Sequence, residues 1–254
     1  MSLNLNMMRT PNGVPFAVLG DLPAKPAPTL LLLAGAIHDS LDTEPYSRTG
    51  QLLGEKGWQV FSLDLPCHGD DRRPGEPEGL AGWRARIEAG EDIVAEFSHR
   101  AEDAIEHLVK TGAADWNRLA VAGTSRGGFM ALHAAAAIPA IRAVAALAPV
   151  TDLLTLREFT GMQRDPLTNR LPLTNRASAL ADRAVWITIG CADERVGTEK
   201  AIAFARALAA AAAELKREPK VTLHVFPVPG HTSLPEWHDL AAEWTADEMS
   251  LEDT

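Results

Sequence analysis

Val121-Ala122-Gly123-Thr124-Ser125-Arg126-Gly127-Gly128 decides the reading of this chain. An apolar run, Leu119 to Ala122, leads into it, and an alanine-rich run, Phe129 to Ala137, leads out. Strand, sharp turn and helix form the setting in which G-x-S-x-G places a serine hydroxyl on an exposed, strained turn. Glycine at 123 and 127 lets strand and helix approach with no Cβ between them, and Gly128 extends that contact. The helix start then aims free N–H groups and a positive dipole end at the space around Ser125.

Outward from this turn, apolar strands alternate with helical patterns. Leu3–Met8 and Val14–Leu19 flank Pro11-Asn12-Gly13, a hairpin signal. Thr29–Ala34, Trp58–Leu63, Arg118–Ala122, Ile141–Leu147, Ala184–Gly190 and Val221–Phe226 read as buried parallel strands. Helices are predicted near 45–54, within 91–110, from the serine to about Ala137, at 198–215 and at 234–249. The fold class is therefore α/β, with about eight strands in a mostly parallel sheet, the first two antiparallel at one edge, and helices on both faces. All 254 residues read as one domain. Residues 70–82 read as a polar loop, and 152–183 as a small cap or insertion positioned to cover the site. The acidic tail beyond the last helix reads as frayed.

Composition excludes several classes. With 24 basic and 34 acidic residues the net charge is −10 and no basic stripe is present, so neither nucleic acid nor an anionic membrane surface is an expected partner. Cys67 and Cys191 form no metal-ligand spacing and no disulfide framework. They read as small apolar residues at strand ends, with a cytoplasmic location and no metal. The N-terminus lacks a signal-peptide pattern. No feature of the sequence specifies an oligomeric state.

A serine hydroxyl needs a base in hydrogen-bond reach, and the base an orienting acid. Sites in such sheets lie beyond the C-terminal strand ends. His231 follows the last strand in Pro229-Gly230-His231, and Asp193 follows the one before in Ile189-Gly190-Cys191-Ala192-Asp193-Glu194. Ser125, Asp193, His231 is the chain order this turn requires. His38 and His68 also follow strands, but they precede the serine and read as loop residues near the site. Asp152 is the alternative acid. An oxyanion needs preorganised N–H donors: Arg126 is the first, and the turn Ala34-Gly35-Ala36-Ile37 supplies the second, with Ala36 favoured over Ile37. Ile37, Trp83, Phe159 and Met162 are candidate pocket residues, and Arg157, Arg164 and Arg170 candidate receivers of an anionic substrate.

With these residues named, the chain resembles the α/β-hydrolase superfamily over nearly its whole length. Gly123-Thr124-Ser125-Arg126-Gly127-Gly128 is similar to the GxSxGG turn of the prolyl oligopeptidase and dienelactone hydrolase-like branch. The stretches 189–196 and 229–231 resemble that branch's acid and histidine loops, and 147–153 the segment after its sixth strand. Ala34-Gly35 stands where the branch often has His-Gly. The resemblance implies a Ser125, Asp193, His231 triad and no cofactor, and the three residues in order at strand ends lead to the expectation of a serine hydrolase acting on a small-molecule ester. A peptidase or amidase of the same fold, and a non-catalytic binding protein, are the alternative readings.

Overall fold

The structure, a computed structural model, describes residues 4–250. The tail expected to fray, residues 251–254, lies outside the described residues, as does the Leu3 start of the first predicted strand.

A hairpin opens the chain. β1 (Leu5–Arg9) pairs antiparallel with β2 (Pro15–Leu19). Its turn is closed by Gly13 N–H donating to Thr10 O at 2.9 Å, with Gly13 at φ +86°. Then follow β3 (Ala27–Leu33), α1 (Ile37–Leu41), α2 (Arg48–Glu55), β4 (Gln59–Ser62), α3 (Gly79–Glu88), α4 (Ile93–Lys110), β5 (Ala114–Thr124), α5 (Arg126–Ala137) and β6 (Ile141–Leu147). The chain continues through α6 (Ala177–Leu180), β7 (Ala184–Ala192), α7 (Thr198–Glu214), β8 (Val221–Pro229) and α8 (Pro235–Ser250).

The eight strands form one sheet in the order β1-β2-β4-β3-β5-β6-β7-β8. From β4 to β8 all pairings are parallel, and β2 meets β4 antiparallel, so β2 alone runs against the rest. This is the mostly parallel α/β sheet expected from the strand and helix rhythm, and the α/β-hydrolase architecture that the resemblance implied.

Strand periodicity divides the core. Leu31 and Leu33 of β3 join the apolar cluster that holds Phe97 and Leu108 of α4 and Phe129 of α5. Leu30 and Leu32 join the opposite cluster, with Leu53 of α2 and Trp237 of α8. Successive side chains point to opposite faces, and both faces are covered, so the strand reads as one unbroken apolar run. On α4, Ile93, Val94, Phe97, Ala101, Ala104, Ile105 and Leu108 are all buried, the face the three- and four-residue spacing predicts. The Asp92 carboxylate caps its start by accepting Ala95 N–H at 3.0 Å.

Two segments differ from expectation. The loop read as far as residue 82 ends earlier, because α3 begins at Gly79. Long-range ion pairs hold it: the nearly buried Arg86 meets Glu76 at 2.7 Å and Asp71 at 2.8 Å. These pairs span a Pro- and Gly-rich stretch, so local pattern does not reveal them. Residues 152–183 fold into short turns and α6. Their apolar residues Leu153, Leu156, Leu173 and Leu180 enter the core cluster shared with α5. His133 of α5 contacts Leu171 O at 3.0 Å. The segment packs on α5 and contributes no residue to the pocket around Ser125, so the expected covering role is corrected.

Candidate active site

The turn after β5 is built as its sequence requires. Ser125 lies at φ 56°, ψ −116°, a conformation that costs a non-glycine residue about 1–3 kcal/mol. Neighbouring backbone holds it there. Ser125 N–H donates to Leu147 O at 2.8 Å, and Ser125 O accepts from Val150 N–H at 3.1 Å. A Cβ on Gly127 would sit 2.0 Å from Leu33 O, and one on Gly123 2.4 Å from the Gly127 backbone. No side chain fits either place, so the two glycines set how closely α5 approaches β3 and β5.

β7 and β8 bring the partners. Gly230 N–H donates to Ala192 O at 3.1 Å, tying the histidine loop to the aspartate loop. His231 Nδ1 lies 2.8 Å from Asp193 Oδ2, and His231 Nε2 lies 2.9 Å from Ser125 Oγ. A carboxylate only accepts, so Nδ1 carries the proton and Nε2 presents its lone pair to the serine hydroxyl. Asp193's other oxygen accepts Arg195 N–H at 3.0 Å and Val196 N–H at 3.1 Å. Burial alone would raise the Asp193 carboxyl, but the bond from His231 and the two backbone N–H groups outweigh it and hold it below its ordinary value. The Asp193 side chain is fully buried and that of His231 is 28% exposed. The acid is fixed, while the imidazole still reaches the pocket.

The other expected site residues lie elsewhere. Asp152 Oδ2 meets Lys200 Nζ at 2.9 Å and its Oδ1 caps Leu154 N–H at 3.0 Å, so it does not orient His231. His38 is exposed on α1. Ala36 N–H donates to Asp39 Oδ2 at 2.8 Å, and Ile37 N–H to Asp64 Oδ1 at 2.7 Å. Both N–H groups are taken by carboxylates, so neither is open to an oxyanion in this structure, a correction to the expected second donor. Arg126 N–H sits at the first helical position, where no intrahelical acceptor exists. Ile37, Trp83, Phe159 and Met162 are packed into the core instead of lining the pocket. Arg157, Arg164 and Arg170 do not reach it either. Cys67 is buried and Cys191 exposed, both free thiols.

The pocket around Ser125 and His231 has a volume of about 360 Å³. Its walls are more polar than the sequence suggested. Tyr46, His68, Glu78 and the Arg126 side chain line it, with Gly35, Asp39, Thr232 and Ser233. Gly35 N–H and the Tyr46 hydroxyl have no protein partner among the described residues. Of these residues His68 and Gly35 carried a sequence signal, His68 by its place just after a strand and Gly35 by lying in the turn that ends β3. Arg126 was visible as the serine's neighbour, but the direction of its side chain was not. Among the described residues no group of three or more His, Cys, Asp or Glu side chains is placed to hold a metal ion. No helix among them is long and apolar enough to cross a membrane.

The prolyl oligopeptidase family model matches residues 99–251, more than half of the chain, and takes in Ser125, Asp193 and His231. Among solved structures, TT1662 from Thermus thermophilus is similar at TM-score 0.71 and 19% identity, with 98% of each chain covered. Acetyl xylan esterase 1 from Thermoanaerobacterium is similar at TM-score 0.63 and 14% identity, covering 97% of this chain and 88% of that one. An acylaminoacyl peptidase from Pyrococcus horikoshii is similar at TM-score 0.70 and 14% identity. There 98% of this chain spans only 41% of the peptidase. These likenesses are of fold. No curated protein matches the chain at a significant level.

Proposed function

Because the chain belongs to the prolyl oligopeptidase family, a family of serine hydrolases, we propose that it cleaves a small carboxylic ester through an acyl-enzyme on Ser125. The observation that carries this reading is the continuous relay from Asp193 to His231 to Ser125, at 2.8 and 2.9 Å. Ser125 Oγ attacks the acyl carbon while His231 Nε2 takes its proton. The same nitrogen returns that proton to the leaving alcohol as the tetrahedral intermediate collapses. It then takes one from the water that releases the acid and regenerates the serine. Asp193 holds the tautomer and stabilises the imidazolium. Arg126 N–H is one oxyanion donor, and Gly35 N–H or the Tyr46 hydroxyl supplies the second in place of Ala36.

The peptidase branch of the family favours amide cleavage as a second reading. An amine leaving group takes its proton from the same His231, so the relay serves both. Turnover of p-nitrophenyl butyrate and of aminoacyl p-nitroanilides separates the two, and labelling by a fluorophosphonate tests the nucleophile. Ester turnover and labelling that are both lost in Ser125→Ala are the expected outcome. A wild-type protein that neither reacts with the probe nor cleaves any ester or amide leaves a non-catalytic binding protein as the reading.

A further inference from the structure

Arg126 is the residue next to the nucleophile, and its guanidinium lines the same pocket as Ser125 and His231. Its one side-chain hydrogen bond among the described residues runs from Nη1 to His68 Nε2, at 2.9 Å. No carboxylate lies within ion-pair distance of it among the described residues. The 24 Lys and Arg residues face 34 Asp and Glu. Of the half-buried arginines among the described residues, Arg126 and Arg176 are the two without a carboxylate partner, and of these only Arg126 lines the pocket of Ser125. Arg73, Arg86, Arg100 and Arg195 all have a carboxylate partner.

His68 explains how the cation is held without being neutralised. His68 is 4% exposed, and its Nδ1 lies 2.8 Å from Pro66 O. A carbonyl only accepts and a guanidinium only donates, so Nδ1 carries the proton and Nε2 is the acceptor. The ring is therefore neutral. Burial, with Arg126's own charge adding to it, depresses its proton affinity. Trp83, edge-on at 6.3 Å, packs against the imidazole. Gly79, at φ +64°, leaves the space the guanidinium occupies: a Cβ there would come within 3.0 Å of Nη1. A carboxylate at position 68 would orient the arginine equally well but cancel its charge. A neutral imidazole orients it and leaves the charge and the remaining N–H donors for a ligand. Two carboxylates share the pocket wall, and both have other work. Glu78 meets Arg72 at 3.3 Å, and Asp39 caps Ala36 N–H.

Resting on the hydrolase reading above, we propose that Arg126 is the specificity-determining residue, and that the substrate is an anionic ester whose carboxylate this guanidinium receives. The carboxylate sits on the acyl group or on the alcohol, close to the scissile bond, because Arg126 directly follows Ser125. His68 is the positioning residue behind it.

Two matched substrate pairs test this: p-nitrophenyl butyrate against mono-p-nitrophenyl glutarate, and phenyl butyrate against 3-(butyryloxy)benzoate. The wild type is expected to favour the anionic member of at least one pair in kcat/KM. Arg126→Gln is expected to lower that anionic-over-neutral ratio by about 10- to 100-fold, the worth of a charge-assisted bond. A ratio unchanged by Arg126→Gln, or no anionic preference in either pair, overturns the proposal while leaving the hydrolase reading intact. Calorimetric binding of monomethyl glutarate to Ser125→Ala, with and without Arg126→Gln, reads the anion site without turnover. Binding weakened roughly tenfold by the second substitution supports the site even if no ester is cleaved. Equal binding to both proteins counts against it.

Discussion

His231 and His68 line one pocket and have the same side chain, yet the structure gives them opposite partners. Behind His231 stands a buried carboxylate, and in front of it a hydroxyl. Behind His68 stands a carbonyl, and in front of it a guanidinium. With an acceptor behind it and a hydroxyl in front, His231 fits the proton-carrying role proposed above. The guanidinium disfavours a positive imidazole, so His68 is built to stay neutral. The chemistry of a histidine is set by the two groups its nitrogens touch, and the difference between these two shows it within one site.

The strongest way to break the comparison is to remove the proton that His231 handles. Ser125→Ala is expected to lower kcat by roughly 10⁶-fold on any substrate, measured against p-nitrophenyl butyrate. Residual turnover near the wild-type rate would place the chemistry elsewhere. Asp193→Asn keeps the shape but lets the amide favour the wrong His231 tautomer, and is expected to cost about 10⁴-fold in kcat. A loss confined to KM would mean that Asp193 serves binding, as His68 does.

A third histidine, His238, sharpens the contrast. It is 1% exposed, and its Nε2 lies 2.8 Å from Ser233 Oγ and its Nδ1 3.3 Å from Thr49 Oγ1. Burial lowers it from 6.5 to about 4, with Asp239 opposing and Arg48 reinforcing. Between those values the unfolded chain binds more protons than the folded one. Its contribution to stability is therefore full above about 6.5 and falls as the pH drops toward about 4. Denaturant unfolding at pH 7 and pH 4.5 is expected to show His238→Gln losing less stability on acidification than the wild type, by on the order of 2 kcal/mol. Parallel losses in the two proteins would mean that His238 is already charged in the fold. The smallest expected effect is at His68. His68→Leu removes one hydrogen bond to Arg126 and is expected to lower the anionic-over-neutral ratio about three- to tenfold. His68→Gln, which keeps an acceptor, restores part of it. Equal ratios for His68→Leu and the wild type would show that Arg126 needs no positioning.

Much of the fold was legible because its signals are local. The run Leu30 to Leu33 reads as a doubly covered strand wherever it sits in the chain, and α4 carries its buried face as spacing. The relay was legible for a related reason: strand ends in a parallel sheet collect on one edge, so Ser125, Asp193 and His231 share it by topology alone. What failed was orientation. Trp83, Phe159 and Met162 were expected in the pocket because they lie in the loop and the insertion read as close to the site, but their apolar side chains turn into the core instead. Ala36 was expected to offer its N–H, but Asp39, three residues on, and Asp64, 27 residues beyond Ile37, occupy the donors of that turn.

By itself the sequence determined the strand order in time, the strained serine between its glycines, and which histidine and which carboxylate meet beside it. These depend on spacing and on backbone freedom, which are properties of the chain. Only the tertiary structure decided that 152–183 packs on α5, that α3 is held by Arg86, and that Arg126 leans on a neutral His68 with its charge unspent. Those outcomes depend on which side chains meet across long separations and on where each turns its polar end, and no local pattern encodes either.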